Sequence, residues 1–99
     1  LAARYGATAR FDMSPTAAGL CPADAPIVKA ALQATGAARP AVSHGATDQF
    51  SFQAGGINTV VFGPGGFAQA HTQNEYIELD ALRRAIDIYA EMLKRLAAM

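Results

Sequence analysis

The sequence predicts an α/β protein with a mainly parallel sheet flanked by helices. Stretches with the pattern of strands alternate with stretches that have the pattern of helices, which is typical of parallel α/β layering. The run Ile57–Phe62 is β-branched, apolar and bounded by glycines, as expected of a strand buried on both faces. Apolar residues make up 52% of the 99 residues, which suggests that the chain buries surface against more protein than it supplies.

The first part of the chain predicts a strand, a linker and a helix. Residues Tyr5–Asp12 alternate loosely between apolar and polar side chains, and Met13–Pro22 holds two prolines and a glycine among small residues. In the helix that follows, we expect Asp24 to be the N-cap and Pro26 to lie in the first turn. Gly36 should end that helix with a positive φ.

The centre of the chain predicts shorter elements. Pro40–Ser43 has a weak strand pattern, and Thr47–Gln53 predicts a short helix that stops at Ala54-Gly55-Gly56. The strand Ile57–Phe62 follows directly.

The last element is a helix predicted over Leu79–Ala97. One face carries an apolar stripe, which should cover the sheet, and the other face is charged. Two acid-before-base pairs four residues apart, Asp80 with Arg84 and Glu91 with Arg95, should each contribute ~0.3 kcal/mol. We expect apolar surface along Ile57–Phe62 and on the inner face of this helix to be exposed in the 99-residue chain.

Charge and cysteine content exclude several classes of function. Eight basic residues balance eight acidic ones, and no basic stripe indicates binding to nucleic acid or to an anionic membrane. No signal peptide or membrane span is predicted. Cys21 is the only cysteine, so no disulfide can form within the chain; we expect it to be inert and the compartment to be the cytoplasm.

The candidate site is a glycine-rich loop between the strand Ile57–Phe62 and the last helix. Gly63-Pro64-Gly65-Gly66 opens the loop, and His71 lies within it. A neutral imidazole is a good zinc ligand, and α/β proteins keep functional residues in loops after strands. The other histidine, His44, has no motif around it and is interpreted as an ordinary loop imidazole.

Two motifs carry a resemblance to a known family. One is Gly63-Pro64-Gly65 followed by His71-Thr72-Gln73-Asn74-Glu75-Tyr76, and the other is the upstream turn Gly45-Ala46-Thr47-Asp48. Together they resemble the carboxyl-terminal signature of the co-catalytic zinc hydrolases that include acetylornithine deacetylase, succinyl-diaminopimelate desuccinylase, aminoacylase and carboxypeptidase G. The resemblance covers residues 45 to about 97; residues 1–44 match only by layout.

The resemblance implies how the chain is organised. Residues 1–14 would be the last strand of an inserted lid or dimerisation domain. Residues 15–99 would be the carboxyl-terminal segment of a three-layer catalytic domain. The complete enzyme would be a homodimer that hydrolyses the amide bond of N-acyl amino acids or small peptides, and the 99 residues alone should be inactive.

The resemblance also implies roles for individual residues. The family holds two zinc ions, with cobalt or manganese as alternatives; His71 matches one terminal ligand, and the other ligands and the catalytic base lie outside this chain. Thr47, with the amides of Gly45 and Ala46, would contact the substrate carboxylate. The remaining candidates are Gly65, where backbone would approach substrate, Glu75, whose closeness in sequence makes it a candidate to hold the second ring nitrogen of His71, and Asp48, which would either orient the Thr47 turn or cap the helix after it.

Two alternatives stay open from the sequence. The chain could be a non-catalytic α/β module that binds a small ligand or a partner protein through an open sheet edge. The Gly63–Gly66 loop could bind phosphate, although it lacks the Lys-Ser/Thr ending of a phosphate loop and precedes a loop, not a helix.

Overall fold

The computed structural model describes residues 2–10, 12 and 18–99, and the regular structure in them is helical. A short 3₁₀ helix, Ala2–Tyr5, precedes three α-helices: α1 (Pro26–Thr35), α2 (Gln49–Ala54) and α3 (Leu79–Ala97). Long irregular segments join these helices.

The predicted α/β fold with a parallel sheet is wrong for this structure, because the described residues contain no strand. Of the predicted strand Tyr5–Asp12, Tyr5 ends the 3₁₀ helix, residues 7–10 are irregular, and Phe11 lies outside the described residues. Pro40–Ser43 and Ile57–Phe62 are irregular as well. Residues 13–17 of the predicted linker, and with them the boundary placed at residue 14, also fall outside the described residues.

The segment Ile57–Phe62 illustrates why the strand prediction failed. A strand exists only where a neighbouring strand supplies a ladder of backbone hydrogen bonds. Here side chains bind that backbone: Gln49 Nε2 donates to the Thr59 carbonyl at 2.7 Å, and the Tyr89 hydroxyl donates to the Phe62 carbonyl at 2.9 Å. The prediction of a strand buried on both faces is therefore wrong: no residue of this segment is buried, and the apolar pattern does not indicate which backbone partner it has.

Helix α1 begins one residue later than its predicted cap. Ala25, with extended backbone (φ −58°, ψ 142°), is the N-cap and gives no side-chain cap, so the prediction of Asp24 is wrong. Pro26 occupies the first turn as predicted, where its missing N–H costs nothing. Gly36 ends the helix with φ 72°, as predicted.

Helix α2 confirms the predicted short helix, with bounds shifted by one or two residues. The Gln49 amide donates to Thr47 Oγ1 at 3.3 Å at its start, whereas Asp48 makes no side-chain cap. The Thr59 amide donates to Gln53 Oε1 at 3.4 Å, and this hydrogen bond connects α2 to the segment Ile57–Phe62 that follows it.

Helix α3 has the predicted bounds and packs against α1. Their contact buries small and medium apolar side chains: Ala25, Val28, Ala30, Ala85 and Met92. Arg95 joins the two helices, since its guanidinium donates to Gln33 Oε1 at 3.0 Å and lies 2.8 Å from Glu91 Oε1. The Glu91–Arg95 pair is thus confirmed, whereas Asp80 pairs with Arg83 and not with Arg84.

Part of the apolar stripe of α3 is not covered by α1 and is exposed. Leu82, Ile86 and Leu93 are 45%, 66% and 68% exposed, and Ile57 and Val61 before the glycine loop are 58% and 46% exposed. The expected exposure of both regions is confirmed. The radius of gyration is 18.3 Å, against about 13 Å for a compact domain of this length. No helix in the described part of the chain is long and apolar enough to cross a membrane.

Candidate functional site

Helix α3 contacts Phe62, the residue that precedes the glycine loop. The Phe62 ring packs edge-on against the Tyr89 ring at a centroid distance of 5.3 Å and an interplanar angle of 83°. The hydroxyl of the same tyrosine donates to the Phe62 carbonyl. The last peptide before Gly63 is therefore held against α3 by a ring contact and a hydrogen bond.

Two glycines give the loop its shape for different reasons. Gly65 has φ +99°, a conformation that side chains rarely tolerate. At Gly66 a Cβ would lie 2.8 Å from Gln69 Oε1, so the Gln69 side chain packs onto the glycine. The bend at Gly65 and the close packing at Gly66 explain why this segment is rich in glycine.

A series of short-range hydrogen bonds connects Gly66 to the histidine. The Gln69 amide donates to the Gly66 carbonyl at 3.2 Å, and the Ala70 amide donates to the Phe67 carbonyl at 3.2 Å. The Thr72 hydroxyl then donates to the Gln69 carbonyl at 2.8 Å. The segment from Gly66 to Thr72 is thus a run of linked turns.

His71 has an uncommon backbone conformation. Its φ is 59°, the only positive φ of a non-glycine residue in the part of the chain that is described, and the residue is exposed. A non-glycine residue in this region costs about 1–3 kcal/mol, and such residues cluster at functional sites. This strain is an observation on His71 that the motif alone did not provide.

Glu75 contacts His71 through the backbone. The His71 amide donates to Glu75 Oε2 at 3.3 Å, four residues along the chain. The predicted contact with the second ring nitrogen is not formed in this conformation. Glu75 instead helps to hold the left-handed turn in which His71 lies.

Two grooves flank the glycine loop. One, of about 450 Å³, lies between the loop and the first half of α3, and its charged lining residues are Glu78 and Arg84. The other, of about 650 Å³, is lined by the loop, Phe67 and Glu75. Gly65 lines both grooves.

The upstream turn makes its own local hydrogen bonds. The Gly45 amide donates to Ser43 Oγ at 3.2 Å, and Thr47 Oγ1 accepts the Gln49 amide as described above. Gly45, Ala46, Thr47 and Asp48 are exposed and line neither groove. The structure therefore places Gly65 and Glu75 on one groove and joins Glu75 to the His71 backbone, whereas His71 itself, like the Gly45–Asp48 turn, lines neither groove.

The donor chemistry of the described residues fits a metal only in part. His71 offers one exposed imidazole, but no group of three or more His, Cys, Asp or Glu side chains in residues 2–10, 12 and 18–99 is placed to hold a metal ion. Zinc in proteins is held by three or four protein ligands. His71 can therefore be at most one contributor to a site completed by other residues.

Cys21 is half-buried and has a free thiol.

Sequence reasoning did not single out Tyr89, which it placed only in the apolar stripe of α3. The sequence offered only a weak signal, because Tyr89 is 42% exposed and its hydroxyl did not require a partner within the protein. Arg84, in the wall of the first groove, was likewise read only as part of the charged face.

With this geometry, the comparisons with known proteins define the class of protein. The chain belongs to peptidase family M20/M25/M40, whose family model matches residues 6–95. The N-acetyl-L-citrulline deacetylase of Xanthomonas campestris pv. campestris is 44% identical to it over 41 residues. That match covers 41% of this chain and 11% of the deacetylase, so the chain spans only a small part of the relative's length. No solved structure matches.

The family match confirms the resemblance to the amide-hydrolysing enzymes that the two motifs indicated. It extends over residues 6–44 as well, which the motifs had covered only by layout.

Proposed function

We propose that this chain is a carboxyl-terminal part of a metal-dependent hydrolase that cleaves the amide bond of N-acyl amino acids or small peptides. The observation that carries the proposal is the family match over residues 6–95, which includes an exposed histidine in a strained loop. The name of the deacetylase relative supports an N-acyl amino acid as substrate.

In this proposal His71 is a terminal ligand of a zinc pair, with cobalt or manganese as alternative metals. When bound, zinc lowers the pKa of a water molecule towards about 7 and polarises the scissile carbonyl. The remaining ligands and the catalytic base come from residues outside this chain. Glu75 supports His71 by accepting its backbone amide, which keeps the loop in the conformation that presents the imidazole.

The Gly45–Thr47 turn is proposed to bind the carboxylate of the substrate. Thr47 Oγ1 already accepts a hydrogen bond from the Gln49 amide, so its own hydrogen remains available for donation. The turn is exposed, and Asp48 starts the helix behind it. The Gly45 amide already donates to Ser43 Oγ, so the proposed donors to the anion are the Thr47 hydroxyl and the Ala46 amide.

We infer that the chain works as part of a larger polypeptide. The exposed apolar stripe of α3 and the small share of the relative that it spans support this. A homodimeric enzyme and a cytoplasmic location remain predictions from the sequence. The alternative of a module that binds through a sheet edge loses its basis, since the described residues form no sheet.

The test compares the complete enzyme with two histidine variants, His71→Ala and His44→Ala. Both histidines are exposed loop residues, so His44→Ala controls for loss of an imidazole in general. The wild-type protein should bind zinc and release acetate from N-acetyl-L-citrulline or a related N-acetyl amino acid.

His71→Ala should reduce the bound metal and lower kcat/KM by orders of magnitude, while His44→Ala should match the wild type. Metal content that is unchanged in His71→Ala would exclude His71 as a ligand. A metal-free wild-type protein without activity on any N-acyl amino acid would overturn the hydrolase proposal.

A further inference from the structure

We propose that Tyr89 is the positioning residue of the glycine loop: it holds the Phe62–Gly63 peptide against α3 and thereby places the loop that leads to His71. The inference rests on the proposed function and adds a residue that neither motif contains. It follows from one hydrogen bond, one ring contact and the order of the turns beyond them.

Among the hydrogen bonds at the loop, the one between Tyr89 and Phe62 joins the two residues that are farthest apart in sequence. The hydroxyl donates to the Phe62 carbonyl at 2.9 Å, and the two residues are 27 positions apart. The edge-to-face ring contact at 5.3 Å fixes the direction from which the hydroxyl approaches. A Cβ on Gly63 would lie 3.9 Å from the hydroxyl, so the loop starts in contact with it.

Tyr89 itself lies outside both grooves. Phe62 and Gly63 line both of them, and the first groove has α3 as its opposite wall through Ala81, Ala85 and Ile88. The Tyr89 hydrogen bond therefore sets how far the loop wall stands from the helix wall. Tyr89 acts on a ligand only through Phe62, which makes it a positioning residue.

The loop transmits this position towards His71. The turns described above run without a break from Gly66 through Gln69 to Thr72. At the far end, the Glu75 carboxylate accepts the His71 amide. The segment is thus held at both ends, by Tyr89 before Gly63 and by Glu75 after His71, and release of either end should let the imidazole move.

The test uses Tyr89→Phe in the complete enzyme, which removes the hydroxyl and keeps the ring. Tyr5→Phe is the matched control, because Tyr5 is a 72% exposed tyrosine far along the chain from the loop. The first readout is amide hydrogen exchange of the metal-free proteins. Exchange over residues 63–72 should be about fivefold faster in Tyr89→Phe, as expected for loss of one hydrogen bond, and unchanged in α1.

The second readout is zinc affinity, measured by competition with a chelator. The zinc Kd of Tyr89→Phe should rise by a similar factor of about five, and that of Tyr5→Phe should equal the wild-type value. Loop-specific faster exchange together with weaker zinc binding supports the positioning role. A merely structural role would speed exchange in α1 and α3 as well.

Three results overturn the inference. Unchanged exchange over residues 63–72 shows that Tyr89 does not hold the loop. Faster exchange that includes α1 shows general destabilisation, and faster loop exchange with unchanged zinc affinity shows that the loop position does not matter to the metal. If the wild type binds no zinc, the proposed function fails, and the exchange measurement still decides whether Tyr89 anchors the loop.

Discussion

The carboxylate of Glu75 binds the backbone of His71 and not its ring: Oε2 lies 3.3 Å from the amide nitrogen and accepts its hydrogen bond. The two residues form a small closed turn in which the histidine has a positive φ. The carboxylate thereby stabilises a conformation that is uncommon for residues other than glycine.

Replacement of Glu75 should weaken metal binding through this turn. Glu75→Ala removes the acceptor, and we expect the zinc Kd of the complete enzyme to rise about tenfold, as for other groups that orient a ligand. Glu75→Gln keeps an oxygen that can accept the amide and should have a smaller effect. Zinc titration of the three proteins measures this, and an affinity in Glu75→Ala equal to the wild type would contradict it.

Glycine at position 71 should destabilise the fold less than alanine does, although both substitutions remove the imidazole. A left-handed conformation costs roughly 1–2 kcal/mol for a residue with a Cβ and nothing comparable for glycine, whose greater freedom in the unfolded chain offsets part of the gain. His71→Gly should therefore be about 0.5–1 kcal/mol more stable than His71→Ala. Urea unfolding of the metal-free proteins compares them; equal stability would mean that the backbone at residue 71 is not strained.

Alanine at two glycines of the same loop should have different effects. Gly65 has φ +99°, so Gly65→Ala should lower the free energy of unfolding by about 1–2 kcal/mol. Gly63 has no positive φ, and its new Cβ would meet the Tyr89 hydroxyl at an ordinary 3.9 Å. Gly63→Ala should stay within about 0.5 kcal/mol of the wild type. Equal losses in the two variants would contradict the conformational requirement at Gly65.

The proposed carboxylate site predicts a selective effect at Thr47. Thr47→Val removes the hydroxyl, so KM for a substrate with a free carboxylate should rise about tenfold, the range of a hydrogen bond to a charged group. Thr47→Ser keeps the hydroxyl and should resemble the wild type.

A substrate whose carboxylate is blocked as an amide separates binding from folding at this position. Loss of the hydrogen bond from the Gln49 amide to Thr47 Oγ1 should cost about 1 kcal/mol of stability in Thr47→Val whatever the substrate. If KM rises equally for the free and the blocked substrate, Thr47 does not bind the carboxylate.

The helices were predictable because their signals are local. The apolar spacing of α3 gave both of its bounds, and the need for a positive φ after α1 identified Gly36. The cap of α1 was missed because Ala25 fulfils that position by backbone conformation alone, which composition does not indicate.

The sheet was not predictable because pairing is a relation between distant segments. Ile57–Phe62 has the composition of a buried strand, yet its carbonyl groups accept hydrogen bonds from Gln49 and Tyr89 side chains. The sequence of these six residues does not indicate which hydrogen-bond partners their backbone groups will have.

The candidate site was predictable in its residue types but not in its contacts. The motif located His71, Glu75 and Gly65 in one loop, and the structure places Glu75 and Gly65 on the same groove. The strain at His71 and the anchor at Tyr89 depend on backbone geometry and on a contact 27 residues away, which the motif does not encode.

The hydrogen bond from the Arg95 guanidinium to Gln33 Oε1 has a consequence for the order in which the chain folds. The two residues are 62 positions apart, and the α1–α3 contact that they join encloses both the Thr47 turn and the His71 loop within one closure of the chain. Closing so long a loop carries an entropic penalty that only the distant helix contact offsets. The short-range turns around His71 should therefore form before the helices dock, and slow docking would delay metal capture even in a chain whose loop sequence is intact.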